Sequence, residues 1–404
     1  MKTLLALALA STSLLACVTP DAPADEGEAT QAINGDTWTT VENTLSETGL
    51  GAEFHGVAAA PDGTIFAAGE RLEADGAPFD GGTTWFVRAS ATGTSFAFAD
   101  DFRLATGWPS QAQAVIVDAA GRVFVSGWAE AAGFVHWITR RSVDGGTTWA
   151  TVDDFSVSNG DAQAMSIAID DDGNVLVGGG ASSNSTSMWK TRRSTDHGAT
   201  WAEVDSVNEG HSILIDAFAA GACVANGKQF EVGVVDYLVE HGPQQWQVRR
   251  SSNGTSWVEA ELLAPAGVSA QASGCGGLAT GTALVAGAEF PKSGATWILQ
   301  RTADGAHFST VDTVTDGDAH AVHEAQNGTS YAVGLVANHW HARRSKDDGQ
   351  SWAESDDFSL GNTAEANAVR FSGVQHATFV AGTANDANQV PHAVVRRLLQ
   401  SQSQ

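Results

Sequence analysis

Basic residues are scarce in this sequence. The chain has 21 lysines and arginines against 47 aspartates and glutamates, a formal charge of −26. Such a field repels phosphate backbones and anionic headgroups, which excludes nucleic acid as a partner and the bare membrane surface as a docking site. Sustained helical periodicity is absent, and helical architectures are excluded with it. Long apolar runs are also absent, with one exception from Leu4 to Leu15, too short for a comfortable membrane span. No G-x-S-x-G, Walker loop or H-E-x-x-H occurs, so the chain shows no motif for a hydrolase elbow, a nucleotide cradle or a zinc-protease helix. The run "DDDGN" at 170–174 lacks the distal glutamate of a calcium loop, and the two imidazoles of His339-Trp340-His341 stand alone on one strand face. No cofactor and no metal ion are expected from these patterns.

Cysteine is nearly missing, and one of the three copies has a telling place. The stretch "MKTLLALALASTSLLAC" joins a lysine, the apolar run and a small residue before Cys17. Leu14-Leu15-Ala16-Cys17 resembles a bacterial lipobox. The resemblance implies that residues 1–16 are a lipoprotein signal peptide and that Cys17 carries the lipid. Membrane contact would then run only through that anchor. Residues 17–34 are rich in Pro, Ala and acids without apolar period, which predicts a flexible tether. Cys223 and Cys275 remain, as a disulfide of an exported protein or as two buried thiols.

What the chain has in abundance is glycine, 44 residues, and tryptophan, 13, set in a repeat. "RRSVDGGTTW", "RRSTDHGATW", "RRSSNGTSW" and "RRSKDDGQSW" return roughly every 50 residues. Each unit reads as four short runs of Val, Ile, Thr, Phe and Trp, broken by Gly, Asp and Asn. Four antiparallel strands per unit, repeated in a ring, predict an all-β fold, a β-propeller of four-stranded blades. Six units carry the third-to-fourth strand hairpin, and a seventh starts at Asn367 and stops after its third strand, "HAVVRRLLQ". "TWTTVEN" at 37–43 matches "TWATVDD" at 148–154. An N-terminal strand is therefore expected to complete the C-terminal blade and close a seven-bladed ring over residues 35–400, leaving 401–404 as a tail.

The turn "S-x-D-x-G-x-T-W" resembles the Asp-box, or BNR repeat, of sialidases and other propellers. Ser142, Asp144, Gly146 and Trp149 carry it, as do Asp196 with Trp201 and Asp347 with Trp352. The resemblance implies a hairpin whose Asp accepts backbone N–H bonds and whose Trp covers the apolar layer. Worn copies, "SATGTSF", "SSNGTSW" and "TADGAHF", mark these turns as structural. The paired arginines before each turn are expected to meet the aspartates of the next strand, Asp153, Asp205, Asp312 and Asp356.

Sialidases hold their substrate carboxylate with three arginines and use an Arg-Ile-Pro motif and a Tyr/Glu nucleophile pair. This chain has no Arg-Ile-Pro, and its two tyrosines are Tyr237, in a loop, and Tyr331, in an apolar strand. No catalytic residue can be assigned. Aligned starts of the innermost strands offer a polar collar of His55, Gln113, Gln163, His211, Gln271, His320 and Asn367, either for a ligand or for hydrogen bonds between blades. Variable loops add Glu70, Arg71, Arg103, Asp236, Tyr237 and Glu240. The expected function is binding of a glycan or an extracytoplasmic protein on the channel face. The alternative is a divergent sialidase-like glycoside hydrolase.

Overall fold

A computed structural model describes residues 30–46, 49–73, 82–183, 186–207, 214–237, 243–263, 265–325 and 328–400. These residues form seven antiparallel sheets, six of four strands and one of five. The protein is a seven-bladed β-propeller. Its innermost strands are Ala52–Ala59, Ser110–Val117, Gly160–Ile169, Leu214–Ala225, Ser269–Gly277, Gly317–Glu324 and Ala364–Ser372, numbered as blades 1 to 7. Each blade then runs outward through a second, a third and an outer strand.

The ring closes through the chain ends. Asp36–Thr44 is the outer strand of blade 7 and pairs with Pro391–Leu399 in the register Trp38↔Leu398, Glu42↔Val395 and Asn43↔Val394. A further strand, Thr30–Ile33, folds back on it, so ordered structure begins inside the segment assigned above to the tether. Cys17 and residues 401–404 lie outside the described residues.

The core lies between blades, where the faces of adjacent sheets meet. Trp85, Trp137, Trp189, Trp246, Trp297 and Trp340, on the third strands, are wholly buried. The tryptophan of each such strand lies against a glycine on the second strand of the next blade. A methyl added at Gly179 would stand 2.7 Å from Trp137 Cζ3, and one at Gly382 2.7 Å from Trp340 Cζ3. Each buried indole is worth roughly 4–6 kcal/mol of transfer free energy by area. This corrects the emphasis on the turn tryptophans: Trp149, Trp201 and Trp352 are half-buried at the edges of these clusters. The turns themselves are tight. Asp144 Oδ1 accepts from the amides of Thr147 (3.1 Å) and Thr148 (2.8 Å), and its carboxyl is held down to about 2 by the Thr148 hydroxyl first.

The paired arginines work across blade boundaries rather than within a hairpin. The first of each pair reaches back to the outer strand of the preceding blade: Arg140 to Asp100, Arg192 to Asp153, Arg249 to Asp205, Arg343 to Asp312 and Arg396 to Asp356. Arg88 does the same to Glu42 across the closure (2.9 Å). Only the boundary between blades 4 and 5 departs, with Gln300 facing Glu261. Second arginines reach forward, Arg141 to His197 O and Arg250 to Gly305 O. A disulfide joins Cys223 to Cys275, tying the innermost strands of blades 4 and 5 (Cα–Cα 5.6 Å).

Candidate functional site

Each innermost strand carries one bulge, and the bulged residue turns out of the sheet toward the axis. The register breaks fall at His55, Gln113, Met165, Ala220, Ser273, His320 and Asn367. Together with the two residues that follow each in blades 1 to 5, and the one that follows in blades 6 and 7, they line a central cavity of about 280 Å³. Of the collar positions read from the sequence, His55, Gln113, His320 and Asn367 line this cavity. Gln163 and Gln271 sit two residues before the bulge and do not line the cavity. His211 lies outside the described residues, and Ala220 holds the collar place in blade 4. A bulge leaves no mark in the apolar pattern, and in blades 3 and 5 the glutamine two places before Met165 and Ser273 was the more prominent polar residue.

The correction changes the meaning of the collar. Large polar residues do not recur in every blade: Met165, Ala220 and the small Ser273 face the axis from blades 3 to 5. Hydrogen-bonding side chains concentrate where blades 6, 7, 1 and 2 meet. A ring required by repeat symmetry would not be so uneven.

On this side the residues two places before the bulge are Glu53, Gln111, Asp318 and Glu365. Glu53 pairs across the ladder with Glu70, and their carboxylates and the His55 imidazole offer donor atoms all within 4.8 Å of one another. Burial raises Glu53 above the ordinary carboxylate range, and the charges of Glu70 and Glu365 add to this against the pull of His55. Gln111 Oε1 accepts from Trp128 Nε1 (2.8 Å) and Gln113 Nε2 (2.8 Å), which fixes its amide orientation. Its NH2 therefore donates to His55 Nε2 (2.9 Å), and the His55 proton resides on Nδ1. Across the mouth, His320 Nδ1–H donates to Ala366 O and Asn367 Oδ1, both at 3.2 Å. Burial opposes its charge, but Asp318, Glu365 and Asn367 outweigh burial and raise its pKa. Asn367 in turn donates to Phe54 O (2.9 Å), fastening blade 7 to blade 1. A second cavity of about 280 Å³, lined by Glu53, Thr363, Glu365, Thr383 and Asn385, opens beside this cluster.

Among the described residues, Glu53, Glu70 and Glu365 accept no hydrogen bond within 3.5 Å. The carboxylates of the blade boundaries, by contrast, are filled by arginine forks. Arg71 stands at the rim but is committed to Glu73 (2.7 Å) and Asp101 (2.5 Å). Arg103 donates to Thr84 Oγ1 (2.7 Å). Arg370 lies three residues beyond the collar residue Asn367, not at the mouth. Asp236 and Tyr237 close the second strand of blade 4, away from the cluster in sequence and in blade; the Tyr237 side chain and Glu240 lie outside the described residues. Glu53, Gln111, Asp318 and Glu365 were missed by the sequence reading. Their recurrence two places before each collar residue was the available signal.

No family model matches the chain, and no curated protein does. Solved structures match its fold. A protein of unknown function from Dyadobacter fermentans is 15% identical with a TM-score of 0.54, over 90% of this chain and 99% of that one. An ulvan lyase bound to -[GlcA(1-4)Rha3S]- is 13% identical with a TM-score of 0.50, over 89% of this chain and 94% of that one. A puromycin hydrolase is 11% identical with a TM-score of 0.53, over 84% of this chain and 53% of that one. At these identities the likeness is one of fold.

Proposed function

We propose that the protein is an exported binding module, anchored through lipid on Cys17, that takes a neutral glycan at the channel mouth over blades 6, 7, 1 and 2. One observation carries the reading: Glu53, Glu70 and Glu365 present acceptors with no protein donor, confined to one side of a ring whose other blades are small or apolar there. Sugar hydroxyls are donors that such carboxylates can hold, and the half-buried Trp128 beside Gln111 offers an aromatic edge. Cationic ligands suit the charge as well, but free anionic sugars do not. The ulvan lyase of this fold is bound to a carbohydrate as well, an anionic one, so it supports a glycan ligand in general and not its neutrality. The disulfide supports an oxidising compartment.

The test is a glycan array probed with the mature protein, its Glu70→Gln and Trp128→Ala variants, and Gln163→Ala as a control off the cavity. Binding of neutral glycans should fall at least about tenfold in the first two and stay unchanged in the third. An array without binders, or equal binding by all four proteins, would refute the glycan reading and turn the search to protein ligands. A second reading, glycoside hydrolysis, is favoured by the Glu53–Glu70 approach, near the roughly 5 Å carboxylate separation of retaining enzymes, and by the raised Glu53, which suits a general acid. Release of reducing ends from a bound glycan, lost in Glu53→Gln, would establish it.

A further inference from the structure

We infer that Glu53, His55 and Glu70 form a binding site for one divalent cation of the zinc or manganese class. The three residues come from two adjacent strands of blade 1, and the bulge turns His55 to the same side as the two glutamates.

Three features favour a cation over a mere acidic surface. First, the donor set is mixed. One imidazole with two carboxylates is the ligand chemistry of zinc and manganese, whereas calcium sites use oxygen alone. Second, the imidazole presents the right nitrogen in the right state. Nε2 is the acceptor atom, as the Gln111 contact shows, and it faces Glu70 Oε1 at 3.9 Å. A cation would take that lone pair in place of the Gln111 amide, which now donates to it at 2.9 Å. Third, the carboxylates have nothing else to do. Glu70 is 14% exposed and His55 17%. Glu53 is buried beside two further carboxylates, and among the described residues no arginine or lysine forms an ion pair with either ligand glutamate. At the blade boundaries, by comparison, carboxylates such as Asp356 and Asp153 are neutralised by arginine.

The spacing is open by a small margin. Metal–ligand bonds of about 2.1 Å place tetrahedral ligands roughly 3.4 Å apart, so atoms within 4.8 Å must close by about 1–1.5 Å. Rotation of the two glutamate side chains supplies that distance without backbone movement. Remaining coordination positions would face the channel mouth, where water or vicinal hydroxyls of a sugar can complete the shell. The site shares its place with the proposed glycan site but does not depend on a glycan. A cation held by both carboxylates would also remove that pair from acid–base duty, which weighs against hydrolysis.

The experiment is a calorimetric titration of the chelator-stripped mature protein with Zn2+ and with Mn2+, paralleled by the visible absorption of Co2+. One saturable site per chain is expected. Glu53→Gln, Glu70→Gln and His55→Ala should each lower affinity more than about a hundredfold, beyond what loss of a supporting partner costs. Glu289→Gln, remote in blade 5, should leave it unchanged; melting curves confirm that each variant is folded. Absence of saturable binding by the folded protein, or binding indifferent to all three substitutions, overturns the site. Repeating the glycan array on stripped and reloaded protein separates the two ideas. Metal binding without glycans leaves the site standing and removes the glycan reading, and glycan binding by protein that takes no metal does the reverse.

Discussion

Gln300→Arg should make the protein more stable, and only above neutral pH. At the other blade boundaries an arginine on the third strand holds a carboxylate on the preceding outer strand. At this boundary the donor is an uncharged amide, which reaches Glu261 Oε1 at 2.8 Å. Burial, only partly offset by that amide, raises Glu261 from 4.5 to about 7. The folded chain therefore holds this proton more tightly than the unfolded one. The associated stability is fully present below about pH 4.5 and is lost as the pH rises through about 7. At 1.36 kcal/mol per unit the loss approaches about 3 kcal/mol, and partial solvation of Glu261 reduces it to about 2 kcal/mol. An arginine at 300 would hold the ionised form instead and abolish that loss. For 404 residues the unfolding entropy is about 0.8 kcal/mol per kelvin, so the gain corresponds to a rise of about 2–3 °C. Calorimetry of both proteins at about pH 5 and about pH 8 isolates the charge, because packing differences are the same at both. A difference in Tm between variant and parent that does not change between the two pH values would refute the reasoning.

Removing the clamp between blades 6 and 7 should have the opposite sign. Arg396 is wholly buried, forks onto Asp356 at 2.7 and 2.8 Å and stacks over Phe358 at 4.2 Å, so Arg396→Leu should cost about 3–5 kcal/mol in denaturant titration. The double change Arg396→Leu with Asp356→Leu should recover most of that loss, since no buried charge is stranded. Gly179→Ala should fail to fold or lose more than about 3 kcal/mol, because its methyl would stand 2.0 Å from Gln163 O and 2.7 Å from Trp137; expression yield and melting temperature report it. Cys223→Ser with Cys275→Ser should lower stability by about 4 kcal/mol for a separation of 52 residues, read as a shift in urea midpoint against the oxidised parent.

The legible parts of this protein are those written once per blade. Strand alternation, the turn glycines and the arginine before each hairpin repeat in register, so blade number and ring closure followed from a period and a missing strand. Glycine at position 146 has φ of 89°, a value that side chains resist, and the same place is glycine in "RRSTDHGATW" and "RRSKDDGQSW". Repetition also showed that arginine and aspartate belong together. It did not show which aspartate, because Arg192 to Asp153 and Arg192 to Asp205 satisfy the same local pattern, and only the packing of one blade on the next selects the first.

Local sequence thus determined what depends on hydrogen bonding between neighbours along the chain, the strands, the hairpins and their number, and the count of strands in the repeat required the N-terminus to complete the last sheet. The tertiary structure alone decided what faces the axis. A bulge shifts facing by one residue without leaving a mark in the apolar pattern, and so it chose Met165 over Gln163 and Ser273 over Gln271. It also brought Glu53, His55 and Glu70 to one side, though Glu70 belongs to the following strand. Which polar atoms converge is fixed by how seven separately folded sheets lean together around a common axis, and that geometry acts between residues that share no local pattern.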